Sequence, residues 1–196
     1  MQEHCLTTSN NIITSDDTFS KYDFSSVFTV TDKMQAMTTI KDVIDSGKYF
    51  ENSPLYQTKE NLFSRHEDCW LKLRMSFIFS CFMYLRTEVQ IKNMQAWSFM
   101  TSNATTEDRD DLWHTHHLTK QNKSISGIFY LHIPEDVLNF DMSGTEFAPN
   151  GMDDASRVFV RPSPYSWIIY PSNIYHRPTA PTSNNFRFIV AADMEF

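Results

Sequence analysis

Five short apolar runs, with no helical stretch between them, constrain the fold of this chain most strongly. They are rich in aromatic and β-branched residues, which favour strands, and polar loops separate them. The runs are MQAWSFM (94–100), ISGIFYLHI (125–133), RVFV (157–160), WIIY (167–170) and FRFIVAA (186–192). Because no helix can cross over between successive strands, they argue against alternating βαβ units and a parallel sheet. The pattern predicts an antiparallel β-sandwich or barrel over about residues 91–196.

The part of the chain before these runs is predicted to be helical. Between residues 31 and 46 apolar residues recur at helical spacing, with Thr31 as the N-cap and Gly47 just after the end. A second helix is predicted over about residues 67–86, and it is apolar on almost all sides, which indicates burial against the back of a sheet. About residues 20–90 should therefore form a helical layer that supports the β core, and the whole chain is expected to be a single domain.

Composition and charge argue against several classes of partner. The formal net charge is −7, whereas a wide nucleic-acid-binding face needs clustered Lys and Arg to neutralise phosphates. No run is long and apolar enough to predict a membrane span, and the N-terminus lacks the pattern of a signal peptide. The three cysteines are widely spaced and form no CxxC pair, so neither a zinc knuckle nor a thioredoxin-type site is indicated. The sequence predicts a cytoplasmic protein.

The densest group of potential metal ligands is the segment DDLWHTHHLTK, residues 110–120. In an extended strand, residues two apart project to the same face. His114 and His116 are therefore predicted to point together into one interior, with His117 on the opposite side. Neutral imidazole suits iron, copper, zinc or nickel. Together with a third, distant histidine, the pair predicts a metal site; the alternative is a solvated histidine-rich loop.

A second unusual stretch, YPSNIYHRPTAPTSNNFRF, lies near the C-terminus. It places His176 in a polar, proline-containing loop and Arg187 in the apolar strand that follows. Strand alternation puts Arg187 on the face opposite its two phenylalanine neighbours. If that face is the interior, an unpaired guanidinium there would be costly. A bound ligand, or an internal carboxylate such as Asp141 or Asp193, would compensate it.

The order of these motifs resembles that of the Fe(II)- and 2-oxoglutarate-dependent oxygenases, especially small bacterial and phage members related to the prolyl hydroxylases. The resemblance covers about residues 94–194. It implies a mainly β fold with an N-terminal α layer: a double-stranded β-helix, the jelly roll also found in cupins. The matching pieces are the His-x-His pair, Tyr130-Leu131, the turn SGTEF (143–147), SWIIYPS (166–172), His176 and Arg187.

The resemblance also implies roles for individual residues. His114, His116 and His176 would hold Fe(II), and Arg187, together with Tyr130, would bind 2-oxoglutarate. The guanidinium fork suits the planar far carboxylate of that acid. The implied reaction is the oxidative decarboxylation of 2-oxoglutarate coupled to hydroxylation of a small-molecule or peptide substrate.

The chain departs from the family pattern at one ligand. Where the family carries Asp or Glu two residues after the first histidine, this sequence has His116. Three interpretations stay open: three imidazoles hold the iron, another residue (His117, Asp111 or Glu146) completes the set, or the site binds iron poorly.

Two other functional classes are also considered. A cupin-like metal-binding protein would not use 2-oxoglutarate, but cupins add a glutamate and glycines after the His-x-His pair, and the segment LTKQNKS has neither. A non-catalytic β-sandwich binding module would leave the order of histidines and arginine as coincidence.

Overall fold

The computed structural model describes residues 18–49, 56–103, 112–116, 123–137, 143–152, 157–179, 181 and 183–196. Two α-helices, α1 (Val30–Asp45) and α2 (Asp68–Leu85), and a 3-10 turn at Leu62–Ser64 precede most of the strands. The strands in the described residues are β1 (Ser20–Asp23), β2 (Tyr56–Gln57), β3 (Asn93–Thr101), β4 (Ser124–His132), β5 (Thr145–Ala148), β6 (Val158–Val160), β7 (Ser166–Pro171), β8 (Tyr175–Pro178) and β9 (Arg187–Glu195).

The strands form two antiparallel sheets. The large sheet has the order β1-β7-β4-β9-β3-β2, and the small sheet has the order β6-β5-β8. An isolated antiparallel bridge between His114 and His176 adds the segment 112–116 beside β8. The predicted class, mainly β with helices on one face of the sheet, is confirmed.

Strand β9 shows how the sheet separates two apolar interiors. Its residues are all buried, and they alternate between the two faces of the large sheet. Phe188, Val190, Ala192 and Met194 pack with the helices in one cluster. Ile189 instead packs between the sheets with Tyr130, Tyr170 and Phe147, and Arg187 and Ala191 line a cavity on that same face. The space between the sheets is thus where polar side chains can meet.

Helix α2 packs closely against the large sheet at Gly127 of β4. A Cβ atom at this position would lie 2.7 Å from Phe77 and about as close to Ile169 and Trp167. The indole Nε1 of Trp167 also donates a hydrogen bond to Ser76 Oγ of α2, at 2.8 Å. This contact accounts for the apolar residues on the buried face of α2, whereas Met75 and Met83 on the same helix are exposed and are not explained by it.

Helix α1 begins at Val30, and its N-cap lies two residues before the predicted cap, Thr31. The N-cap is Thr29, whose Oγ1 accepts from the Asp32 amide at 3.2 Å while Asp32 Oδ2 accepts from the Thr29 amide at 2.8 Å. The prediction of Thr31 as the N-cap was wrong, because the spacing of apolar residues locates a helix but does not identify its N-cap residue. The glycine after the end is confirmed: Gly47 has φ of +74°, the left-handed conformation that glycine adopts freely.

The segment of about residues 20–90 contains more than the predicted helical layer. Strands β1 and β2 lie within it and form the two edges of the large sheet. Four and two residues long, they are too short to show a strand period in the sequence. In the described part of the chain, no helix is both long and apolar enough to span a membrane.

Candidate metal centre and adjoining cavity

Three histidines predicted to act together lie together. The segment 112–116 is held beside β8 because His114 and His176 exchange backbone hydrogen bonds of 3.1 and 3.0 Å. The amide of His116 donates to the Ser172 carbonyl at 2.8 Å, which fixes the backbone at the second histidine of the pair. The ring centroids are 4.3–5.0 Å apart, and one ligand atom from each histidine lies within 4.8 Å of the others.

The hydrogen bonds of the three rings set their tautomers. In each ring Nδ1 faces an oxygen that accepts, so Nδ1 carries the proton and Nε2 keeps its lone pair. The acceptors are the Leu112 carbonyl for His114 (2.7 Å), Asp193 Oδ1 for His116 (2.9 Å) and the Ile174 carbonyl for His176 (3.1 Å). Three imidazoles whose Nε2 atoms face one another form a donor set that suits a divalent first-row metal ion.

Burial keeps two of these histidines neutral. It lowers the pKa of His176 well below the usual 6.5, and the neighbouring His114 and His116 lower it further. Burial also lowers the pKa of His114. Because a metal needs the neutral imidazole, protons compete with it less at neutral pH than they would on the surface.

Arg187 lies fully buried on the inner face of β9. Its Nε donates to Thr101 Oγ1 at 3.3 Å and its Nη1 donates to the carbonyl of Ser143. Nη2 is buried with no hydrogen-bond partner among the described residues. Burial lowers the pKa of this guanidinium to about 10, and the nearby Tyr130 only partly opposes that fall.

No carboxylate of the described residues lies within salt-bridge distance of Arg187. The interpretation that Asp193 pairs with it is wrong, since that carboxylate is hydrogen-bonded to His116. Asp141, the other partner considered, lies outside the described residues. The buried guanidinium therefore has an unused donor and no anion in the described part of the chain.

The histidines and Arg187 line one cavity of about 250 Å³. Between them its wall includes Thr145 and apolar side chains such as Ile128 and Ile189. Tyr130 is fully buried beside this wall; its hydroxyl is 2.8 Å from Thr145 Oγ1, and burial raises its pKa to about 12. The structure thus places Tyr130 as a neutral phenol next to the cavity.

The alternative ligands fare differently. Glu146 lies on β5 next to Phe147, whose ring faces His176, so its own side chain points the other way and pairs with Arg177 at 2.7 Å. The interpretation that Glu146 completes the metal set is therefore wrong. His117 and Asp111 lie outside the described residues.

Two residues of the site were missed by the sequence analysis. The Tyr170 hydroxyl donates to Nε2 of His176 at 3.0 Å, a hydrogen bond that a metal on this nitrogen has to displace. Asp193 was considered only as a partner of Arg187, although the alternation of β9 places it on the inner face. Its contact with His116 spans 77 residues and follows from strand register, which no local pattern shows.

Comparisons with known proteins bear on the fold. No protein-family model and no curated protein sequence matches the chain. Among solved structures, the non-heme alpha-ketoglutarate-dependent carbocyclase SnoK from nogalamycin biosynthesis aligns with a TM-score of 0.63 at 10% identity, over 96% of this chain and 86% of SnoK. A prolyl-4-hydroxylase of Pseudomonas putida aligns with a TM-score of 0.57 at 11% identity, over 90% of this chain and 91% of that one. The chain has the fold of these oxygenases.

A third structure shares this oxygenase fold. The epimerase SnoN, in complex with Fe3+, alpha-ketoglutarate and nogalamycin RO, aligns with a TM-score of 0.61 at 8% identity, over 91% of this chain and 79% of SnoN. The predicted jelly-roll class is thereby confirmed. Within this fold, His176 lies on β8 of the small sheet, His114 and His116 lie in the segment before β4, and Arg187 is the first residue of β9.

Proposed function

We propose that the protein is an Fe(II)- and 2-oxoglutarate-dependent oxygenase that hydroxylates a small-molecule or peptide substrate. One observation carries the proposal: a single cavity is lined both by three clustered imidazoles and by a buried guanidinium without a carboxylate partner among the described residues. A cluster of imidazoles alone would suit many metal proteins. The added buried cation calls for an anionic ligand in the same space.

The residues present fit both groups. His114, His116 and His176 would hold Fe(II) through Nε2, since Nδ1 of each ring is engaged elsewhere. Arg187 would hold the far carboxylate of 2-oxoglutarate, because its Nη2 has no hydrogen-bond partner within the described part of the chain and a guanidinium fork matches a carboxylate. When bound, iron and 2-oxoglutarate supply the oxidising chemistry with oxygen.

The chain's own contribution is to hold its cosubstrate in a dry, shaped space. Ile128, Ile189 and Ala191 line the cavity and exclude water, which strengthens an interaction between Arg187 and a carboxylate. Tyr130 stays protonated at neutral pH, so its phenol adds no negative charge that would repel a dicarboxylate. Its bond with Thr145 instead orients a hydroxyl group of the cavity wall.

A second candidate is a jelly-roll metal protein that does not use 2-oxoglutarate. The all-imidazole donor set favours it, because the carboxylate typical of the oxygenase pattern is missing at His116. Arg187 distinguishes the two candidates, since a metal protein without a dicarboxylate gains nothing from a buried cation with an unused donor.

Binding and turnover experiments test the proposal. Mn(II) titrated without oxygen should bind the unmodified protein, and 2-oxoglutarate should then bind the metal complex. With Fe(II), ascorbate and oxygen, succinate should be released. Binding of metal without 2-oxoglutarate would support the second candidate, and binding of neither would leave a non-catalytic module.

A matched pair of histidine variants locates the metal. His176→Ala should abolish tight Mn(II) binding, because one of three ligands is removed. His132 lies next to Phe188 on the helix side of the large sheet, because the pairing of β4 with β9 is irregular between Tyr130 and His132. His132→Ala removes an imidazole outside the cavity and should leave Mn(II) affinity unchanged. Equal loss in both variants would contradict the assignment.

We also propose that the chain acts as one domain in the cytoplasm. The cavity is built from both sheets, and the helices pack on the large sheet, which supports one folding unit. Cys69 and Cys81 are buried and unpaired, as a reducing compartment would leave them.

A further inference from the structure

Asp193 is a buried carboxylate that contacts the imidazole of His116. It is 1% exposed and lies on the inner face of β9. Its Oδ1 accepts from His116 Nδ1 at 2.9 Å and from Ser126 Oγ at 2.6 Å, and Gln95 Nε2 lies 3.5 Å from Oδ2. No Lys or Arg of the described residues is within salt-bridge distance of it.

A buried carboxylate is costly unless a positive charge compensates it. Arg187 cannot do so, since six residues of extended strand separate the two by roughly 20 Å. The compensating charge must therefore reach Asp193 through His116, the imidazole it contacts. A positive charge at His116 Nε2, carried by a bound metal ion or by a proton, would provide it.

The contact distinguishes His116 from the other two histidines. His114 and His176 donate Nδ1–H to neutral backbone carbonyls, whereas His116 donates to a carboxylate. His116 is also the position at which the oxygenase pattern has an acidic ligand. The negative charge missing from the ligand set is thus present one hydrogen bond further out.

We propose that Asp193 is a positioning residue that supplies, through His116, the negative charge a carboxylate at position 116 would give to the metal centre. The proposal rests on the metal centre of the proposed function. The hydrogen bond fixes the tautomer and orientation of the ring and makes Nε2 a stronger donor. Ser126 holds the carboxylate in place, and the indole of Trp97, 5.2 Å from the His116 ring, covers the ring itself.

Metal affinity is the direct measurement. Asp193→Asn keeps the size of the side chain and removes its charge, and we expect it to weaken Mn(II) binding by about 10–100-fold. The matched control is Glu195→Gln. Glu195 is buried two residues further along the same face of β9, and among the described residues it makes no hydrogen bond to the histidines. We expect the control to change affinity by less than about threefold, since it lacks the direct contact.

A second background separates positioning from a general effect on folding. In His116→Asp the carboxylate is a direct ligand, so the charge at Asp193 becomes redundant and repels it. Asp193→Asn should then leave Mn(II) affinity unchanged or raise it, the opposite of its effect in the unmodified protein. A merely structural role would lower affinity in both backgrounds.

The outcomes distinguish this inference from the proposed function. If the unmodified protein binds Mn(II) and Asp193→Asn binds it as tightly, the inference is overturned while the metal centre stands. If Asp193→Asn and Glu195→Gln weaken binding equally, the charge acts only through the general field and the inference also fails. If the unmodified protein binds no metal, both fail.

Discussion

Replacement of Arg187 by methionine tests the binding of 2-oxoglutarate most directly. The side chain is fully buried, and its pKa falls from the usual 12.5 to about 10 because of that burial. One pKa unit corresponds to about 1.4 kcal/mol, so the charge costs about 3 kcal/mol in the ligand-free protein. A dicarboxylate that accepts from Nη2 would offset this cost.

The magnitude of the expected loss follows from that figure. Without the guanidinium, 2-oxoglutarate loses about 3 kcal/mol of binding free energy, or more than about 100-fold in Kd, at about 1.4 kcal/mol per tenfold. Ligand-free stability should change little, because relief of the buried charge opposes the loss of the hydrogen bonds to Thr101 and Ser143. Arg187→Lys should recover part of the affinity, since a point charge cannot reproduce the fork.

The assay is calorimetric titration of the Mn(II)-loaded protein with 2-oxoglutarate, alongside chemical denaturation of the ligand-free protein. Arg74→Met is the control: this arginine lies on α2 and donates to the Phe63 carbonyl, away from the cavity, so 2-oxoglutarate affinity should be unchanged. If Arg187→Met binds 2-oxoglutarate within threefold of the unmodified protein, Arg187 does not hold the cosubstrate and the oxygenase proposal loses its main support.

Two further predictions concern stability. The pKa of His176 is lowered on folding, so below about pH 6.5 the unfolded chain binds a proton that the folded chain does not. As the pH is lowered below that point, the free energy of unfolding of the metal-free protein should decrease by up to about 1.4 kcal/mol per pH unit. Denaturation curves at pH 7.5 and 5.5 that coincide would contradict this expectation. Gly127→Ala should destabilise the protein by about 1–3 kcal/mol, because the added methyl meets Phe77 and Trp167 in a packed core. An unchanged denaturation midpoint would show that α2 can move away at no cost.

Periodicity in the sequence accounts for the long elements of the fold. Both helices and the strands β3, β4, β7 and β9 were predicted because each is long enough for its alternation or its apolar face to show. The three-residue β6 was also predicted, from the apolar composition of the run RVFV. Strands β5 and β8 were not predicted as strands. Each has four residues, and β8 lies in a segment with proline, serine and asparagine that reads as loop. Their pairing with each other, not their own composition, makes them strands.

The site divides in the same way. Local spacing predicted that His114 and His116 share a face, and alternation predicted that Arg187 lies opposite its phenylalanines. The acceptor of His116 could not be predicted, because it depends on register between distant strands, whereas His114 and His176 donate to carbonyls only two residues away in the chain. Asp193 reaches His116 only because β9 pairs with β4 so that Asp193 lies opposite Ser126.

The inner face of β9 carries a positive charge at its start, Arg187, and two acidic residues near its end, Asp193 and Glu195. At roughly 20 Å and an effective dielectric constant near 20, Arg187 and Asp193 stabilise each other by less than about 1 kcal/mol, far below the cost of burying either. A divalent cation held by His116 next to Asp193, and a dicarboxylate held by Arg187, would add equal and opposite charges, each beside the residue that needs it. In the proposed site, histidine in place of a carboxylate ligand would leave the charge contributed by these two positions unchanged, since Asp193 would keep the same negative charge one hydrogen bond away.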